Sequence, residues 1–497
     1  MAYVRLDSRL ACLAVVGLLA ACSSDDSPGA AGSAGASGSS GSAGASGSAG
    51  SSGASGVSGA GGTAGSSGAA GSSGSSGAAG ASGSAGASGA AGSAGSAGSA
   101  GSAGAAGSAG SAGAETCLGS SLLSSLGKDH LMIGYAGEDS TGDAAPFDGR
   151  YLYLSGGLFD SNEPCSSCLS CTSNGQSCDN ANGCGWWGCW QYDQDPPGQY
   201  VRGLIDGAKS RGETPMITYY EILQSSGVAE TPEAEMGAAN DVTLMRRLLA
   251  DWRFVATTVG SDQALLHFEP DFWGYAQHVN ANPHSIPAAV ASAAPEDCGT
   301  LENSIAGLGQ CVIQIVRKYA PNAKVGLHAS AWGTNYDSLG NSDPSFDVAA
   351  EAQKLGDFLI AAGAGQGDFI VADMSDRDAG FYDSIGRDSW WDDTNATLPN
   401  FTQAFVWSKA LAERMSKPVI WWQIPVGNMS QNNTTNHWKD NRVDYLMAHT
   451  NDVVAAHGVG LFFGAGEGQQ TTPESDGGNL IGKVNAYHNA GSTPVCP

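Results

Sequence analysis

Ala264-Leu265-Leu266-His267-Phe268-Glu269-Pro270-Asp271-Phe272 is a short apolar run that ends in polar and acidic groups. It is shorter than a typical helix, and its aliphatic and aromatic side chains suit a strand buried on both faces. Runs of the same kind lie at His130 to Gly137, Tyr151 to Gly156, Pro215 to Ile222, Lys324 to Trp332, Phe369 to Met374, Pro418 to Pro425 and Gly458 to Gly464, eight in all. Helix-like stretches separate most of them: Tyr200 to Arg211, Val242 to Val259, Leu301 to Tyr319, Phe346 to Ala362, Phe401 to Met415 and Arg442 to Ala456. Several carry apolar residues at helical spacing. Eight strands alternating with helices predict an α/β fold, a (β/α)8 TIM barrel. An open doubly wound sheet is the competitor. No Gly-rich phosphate loop follows the first strand, which weakens the nucleotide-binding versions of that sheet, and no cofactor is expected.

The folded part is expected to span residues 115–497, about 380 residues, a comfortable size for one barrel with insertions. Ahead of it, residues 23–114 are almost entirely Gly, Ser and Ala from Gly29 onward. Such a tract has no apolar surface with which to repay the entropy of ordering. It is expected to be a disordered linker with a root-mean-square span of about 50 Å. Its near-triplet repeats suggest collagen, but Pro is absent from the tract, so the linker is preferred.

Residues 1–22 have basic side chains at Arg5 and Arg9, an apolar stretch from about Leu10 to Ala21, and then Cys22. The order is that of a secretory signal, and the apolar stretch is well short of the roughly 20 residues that span a bilayer. Leu19, Ala20, Ala21 and Cys22 resemble the bacterial lipoprotein signal, which implies lipidation at Cys22. Ser23 and Ser24 in place of Asp imply transfer to the outer membrane. The chain is therefore expected to be a lipid-anchored protein of the cell envelope, monomeric and tethered to a membrane.

Acidic residues outnumber basic ones 48 to 22, for a net charge of -26. That repels nucleic acid and acidic polymers and favours neutral or cationic partners. Ten cysteines follow Cys22, an even number that in an exported domain predicts disulfides. Six fall between Cys165 and Cys189, inside a Trp-rich loop at residues 160–198. A zinc site is the alternative for that loop, and three disulfides are preferred. Cys298 and Cys311 are spaced to close a short loop of their own.

In a barrel the chemistry sits at the C-terminal ends of the strands. On a strand of period two, His267, Glu269 and Asp271 face one side, bringing two carboxylates and an imidazole toward one cavity. The structural alternatives are an Arg salt bridge for Glu269 and a helix cap for Asp271. Asp373 ends the sixth run, with Asp376 just beyond; Glu221, His328, Trp332, Gln423 and Asn428 lie at the ends of others. Glycosidic hydrolysis commonly uses two carboxyl groups flanking the bond, and Glu269 as general acid with Asp373 as its partner is the expected pair. Asp271, Glu221, His267, His328, Asp376, Gln423 and Asn428 are expected to position the sugar. Trp332, and Trp187 and Trp190 in the cysteine loop, are expected to offer flat aromatic platforms to sugar rings, as are Trp273, Trp390, Trp391 and Trp438; of Trp421 and Trp422, adjacent and pointing opposite ways, one is expected in the core.

This layout resembles the TIM-barrel glycoside hydrolases, in architecture and in carboxylates at strand ends. The largest clan of that group carries Asn before the strand-four Glu and a second Glu on strand seven; here Phe268 precedes Glu269 and strand seven offers Gln423. No family is assigned. Metal-dependent barrel hydrolases carry a His-x-His pair on strand one, where this chain has only His130, so no catalytic metal is expected. The resemblance implies a polysaccharide substrate. The alternative is a non-catalytic carbohydrate-binding or adhesion lipoprotein on the same scaffold.

Overall fold

The computed structural model describes residues 117–155, 158 and 196–496. Eight parallel strands close into a barrel in sequence order: β1 (Met132–Tyr135), β2 (Gly149–Leu154), β3 (Thr214–Tyr219), β4 (Leu265–Phe268), β5 (Lys324–His328), β6 (Phe369–Asp373), β7 (Val419–Ile424) and β8 (Gly458–Phe463). The first strand pairs with the last through Met132 and Gly460 up to Tyr135 and Phe463, which completes the TIM barrel. Each of the eight apolar runs overlaps one strand, and β2 and β3 begin two residues and one residue ahead of theirs.

Strand side chains divide between two environments. Outward-facing Phe268 packs on Trp252 of the helix Val242–Val259, with ring centroids 5.1 Å apart, and Trp421 meets Trp407 of the helix Phe401–Met415 at 5.7 Å. Tyr151, Tyr153, His267, His328, Trp422 and Phe462 form a connected set of ring contacts inside the barrel. Phe462 fills the space left by missing side chains on two strands, for a Cβ on Gly134 or Gly149 would lie 2.4 or 2.8 Å from its ring.

The outer helices follow from apolar stripes and polar starts. In Val242–Val259 the residues Met245, Leu248, Leu249, Trp252, Val255, Ala256 and Val259 are buried along one face. Asp241 accepts hydrogen bonds from the backbone N–H groups of Thr243 and Leu244, satisfying donors that the helix leaves open. Ser304 and Asn400 do the same for the helices Ile305–Tyr319 and Phe401–Met415. The stretch Arg442 to Ala456 is divided at His449 into two short helices, Arg442–Ala448 and Thr450–Ala455. Among the described residues, no helix is long and apolar enough to cross a membrane.

Two disulfides are present among the described residues. Cys298–Cys311 closes the short loop expected of it, and Cys117–Cys496 joins the two ends of the barrel domain. The cysteine loop, with Trp187 and Trp190, and also Cys22 lie outside the described residues.

At the N-terminal end of the barrel, buried Asp148 gathers Lys128 Nζ and His130 Nε2, each at 2.9 Å, the backbone N–H of Ile133 at 3.0 Å, and His488 Nε2 at 3.4 Å. This cluster fastens the chain before β1 and the C-terminal helix Asn479–Asn489 to the segment leading into β2.

Candidate active site at the C-terminal mouth

β4 stops being a strand at Phe268. Glu269 and Asp271 both adopt a left-handed backbone, with φ of 53° and 64°, on either side of Pro270. Alternation therefore ends there, and it no longer sets where the two carboxyls point. Gln423, at the end of β7, has φ of 56°. Left-handed backbone is costly for side chains such as these, and such costs gather where a site demands a particular geometry.

Glu269 is fully buried. Its Oε1 accepts hydrogen bonds of 2.9 Å from the backbone N–H groups of both Glu221 and Ile222, and its Oε2 has no hydrogen-bond partner among the described residues. It makes no Arg salt bridge among the described residues; it ties the end of β4 to the loop after β3. Burial pushes its carboxyl up to about 8, against the pull of those two backbone bonds.

Asp271 keeps part of its surface exposed. It occupies the N-cap position of the helix Phe272–Val279 without a side-chain capping bond. Burial pushes its carboxyl up to about 7; His328 opposes this, and the charges of Asp373, Glu230 and Glu235 add to it. Asp373 also keeps surface, with 24% of its side chain exposed, and its Oδ1 lies 3.1 Å from His328 Nε2. Both aspartates act electrostatically on Tyr153. Of the three carboxyls expected to act, Asp271 and Asp373 keep exposed surface and Glu269 does not.

Below them, His267 and His328 stack with ring centroids 5.2 Å apart, and Trp422 meets both edge-on at 4.9 and 5.8 Å. Burial holds the His267 imidazole well below its usual range, so it is neutral. The Tyr153 hydroxyl donates to Gln423 Oε1. Gly466 lies against the same amide, where a Cβ would come within 2.0 Å of Gln423 Nε2.

The other expected residues are placed as follows. Glu221 is buried, with Oε2 accepting from the Ser225 hydroxyl. Trp332 is half-buried beside Tyr275, with centroids 4.8 Å apart. Asp376 pairs with Arg377 and Tyr382, and Arg377 reaches on to Glu467 at 2.7 Å. Asn428 is buried and shapes its loop, donating to the Asp476 carbonyl and accepting from Ser430. Trp273, Trp391, Trp421, Trp422 and Trp438 are all buried. These five pack the protein instead of presenting a face to sugar, a correction to the aromatic-platform expectation.

Three contributors lie outside the expected site residues. Tyr153 and Thr218 carry a signal, the period-two positions of β2 and β3. Glu235 carries none: it is an acidic side chain on the helix Pro232–Ala239 that burial and the charge of Glu269 push up to about 8. The one group of three metal-capable side chains among the described residues is His130, Asp148 and His488 at the opposite end of the barrel. There the Lys128 ammonium already sits on the Asp148 carboxylate.

The barrel has likenesses among solved structures. A modular endo-β-1,4-mannanase of Cellulomonas fimi, from glycoside hydrolase family 26, aligns at 11% identity over 75% of this chain and 74% of its own, with a TM-score of 0.40. A Bacteroidetes-affiliated cellulase of glycoside hydrolase family 5 aligns at 11% over 74% and 92%, with a TM-score of 0.43. The hyperthermostable endo-1,4-β-D-mannanase of Thermotoga petrophila aligns at 10% over 72% and 99%, with a TM-score of 0.41. Likeness at this level says nothing about substrate. No curated protein matches the chain. The collagen triple helix repeat matches residues 24–81 and 59–121. Glycine there stands at every third position from Gly29 to Gly113, with Gly61 the one extra, so the triplet spacing is stricter than a near repeat.

Proposed function

We propose that the barrel is a polysaccharide hydrolase whose working carboxyls are Asp271 and Asp373. The observation that carries this is their difference in environment at one mouth: Asp271 is pushed up to about 7, and Asp373 Oδ1 lies 3.1 Å from His328 Nε2. A carboxyl near neutrality can deliver a proton to a leaving oxygen, while a carboxylate stabilised by a donated hydrogen bond can serve as nucleophile or base. Glu269, with no exposed surface, positions the β3 and β4 loops. Gln423, presented by Tyr153, and half-buried Trp332 are the groups proposed to orient the sugar. The lipoprotein signal and Gly-rich tract add the proposal that this domain works tethered to the cell envelope.

The test is a polysaccharide panel run with the purified domain and three variants. Asp271→Asn and Asp373→Asn should each lower turnover by on the order of 10² to 10⁴, while Glu269→Gln keeps most of the wild-type rate. A loss in Glu269→Gln as deep as in Asp271→Asn would return the acid role to Glu269. Binding of a polysaccharide without cleavage by the wild type would make the domain a carbohydrate binder.

A further inference from the structure

Four side chains on four neighbouring strands form an unbroken hydrogen-bonded line. Thr218 Oγ1 of β3 lies 3.1 Å from His267 Nδ1 of β4, His267 Nε2 lies 3.2 Å from His328 Nδ1 of β5, and His328 Nε2 lies 3.1 Å from Asp373 Oδ1 of β6. Thr218, His267 and His328 are buried, and only the carboxylate reaches the surface. Trp422 closes against both imidazoles. Asp271 and Tyr153 are the other titratable groups beside the carboxylate end.

The line has one consistent direction. An ionised carboxylate only accepts, so His328 must carry its proton on Nε2. From the other end, the buried Thr218 hydroxyl donates to His267 Nδ1, so the neutral His267 carries its proton on Nε2 and donates it to Nδ1 of His328. Turning the line round would need a protonated Asp373 or a His328 that carries protons on both ring nitrogens. It would also turn the Thr218 hydroxyl away from its one hydrogen-bond partner among the described residues, stranding a buried donor.

We infer that Thr218, His267 and His328 are positioning residues, which set the tautomers of both imidazoles, commit Asp373 Oδ1 to a donated hydrogen bond, and leave Oδ2 as the oxygen that works in the cleft. The inference rests on the hydrolase proposal only for what Oδ2 does there. No proton is transferred along the line.

Imidazole nitrogen NMR on the whole chain labelled with ¹⁵N-histidine tests this without any substrate. His267 and His328 should both be unprotonated at Nδ1 and protonated at Nε2. Thr218→Val keeps the shape but removes the donor, so His267 should redistribute between tautomers, and Thr218→Ser should restore the wild-type pattern. On a substrate found by the panel, Thr218→Val should lower kcat on the order of tenfold, the worth of one hydrogen bond, with KM little changed. A wild-type His267 protonated at Nδ1, or a Val variant with unaltered tautomers, overturns the inference. Should Thr218→Val fail to fold, the wild-type tautomers decide alone. A domain that cleaves no polysaccharide yet shows these tautomers keeps the inference and loses the hydrolase proposal.

Discussion

Two neighbouring carboxyls of one tripeptide, Glu269 and Asp271, differ in what surrounds them rather than in kind. Both are pushed upward by burial, yet only Asp271 has surface in the mouth. If Asp271 is the acid, it must be protonated to act and loses its proton as pH rises. Activity should therefore fall along an alkaline limb near pH 7, measured as kcat/KM against pH, and Glu269→Gln should leave that limb in place. Glu269 has its own signature in stability. Its folded carboxyl is raised from 4.5 to about 8, so its contribution is full below 4.5 and is lost as pH rises toward 8. Glu269→Gln cannot ionise and still accepts from the N–H groups of Glu221 and Ile222. Thermal unfolding of that variant should show a smaller loss of stability between those pH values than the wild type.

Among the elements, the barrel's two ends divide their work. At the C-terminal mouth Glu269, Asp271 and Gln423 have left-handed backbone and Asp271 and Asp373 keep some surface, while at the N-terminal end Asp148 is buried among its donors. Burial pushes the Asp148 carboxyl up, but the hydrogen bond from His130, the His488 imidazole 3.4 Å away, the Lys128 charge and the Ile133 N–H outweigh it and hold it well below 3.8. The hydrogen bond to Asp148 lifts His130 above 6.5 in turn, against burial. The Asp148 contribution is present above 3.8 and fades on acidification; the His130 contribution is present below 6.5 and fades as pH rises through the folded value. Asp148→Asn should therefore lower Tm most between those two values, with the gap to wild type narrowing on either side. A gap that does not change with pH would mean that the cluster acts by packing alone.

For the whole molecule, the attachment of the barrel to the cell envelope depends on Cys22 and the glycine tract. Cys22→Ala should release the domain from the membrane fraction or leave it unprocessed; fractionation like the wild type would remove the lipoprotein proposal. What the sequence determined by itself was the number and order of the strands and the positions of the main helices. A run such as Phe369 to Met374, or an apolar stripe such as Met245 to Val259, records burial at each position, and burial is a local demand repeated along the chain. The candidate site was legible as far as the strand ends: Asp271, Asp373, His267, His328 and Gln423 all lie there. Which carboxyl faces the mouth was decided only by the tertiary structure, because alternation holds while the backbone stays extended and fails where Glu269 and Asp271 turn left-handed. The burial of Trp391 beside Arg442, the joining of Cys117 to Cys496, and the line from Thr218 to Asp373 are likewise contacts between elements distant in sequence. They depend on the register of one strand against the next, which barrel closure sets and no single segment encodes.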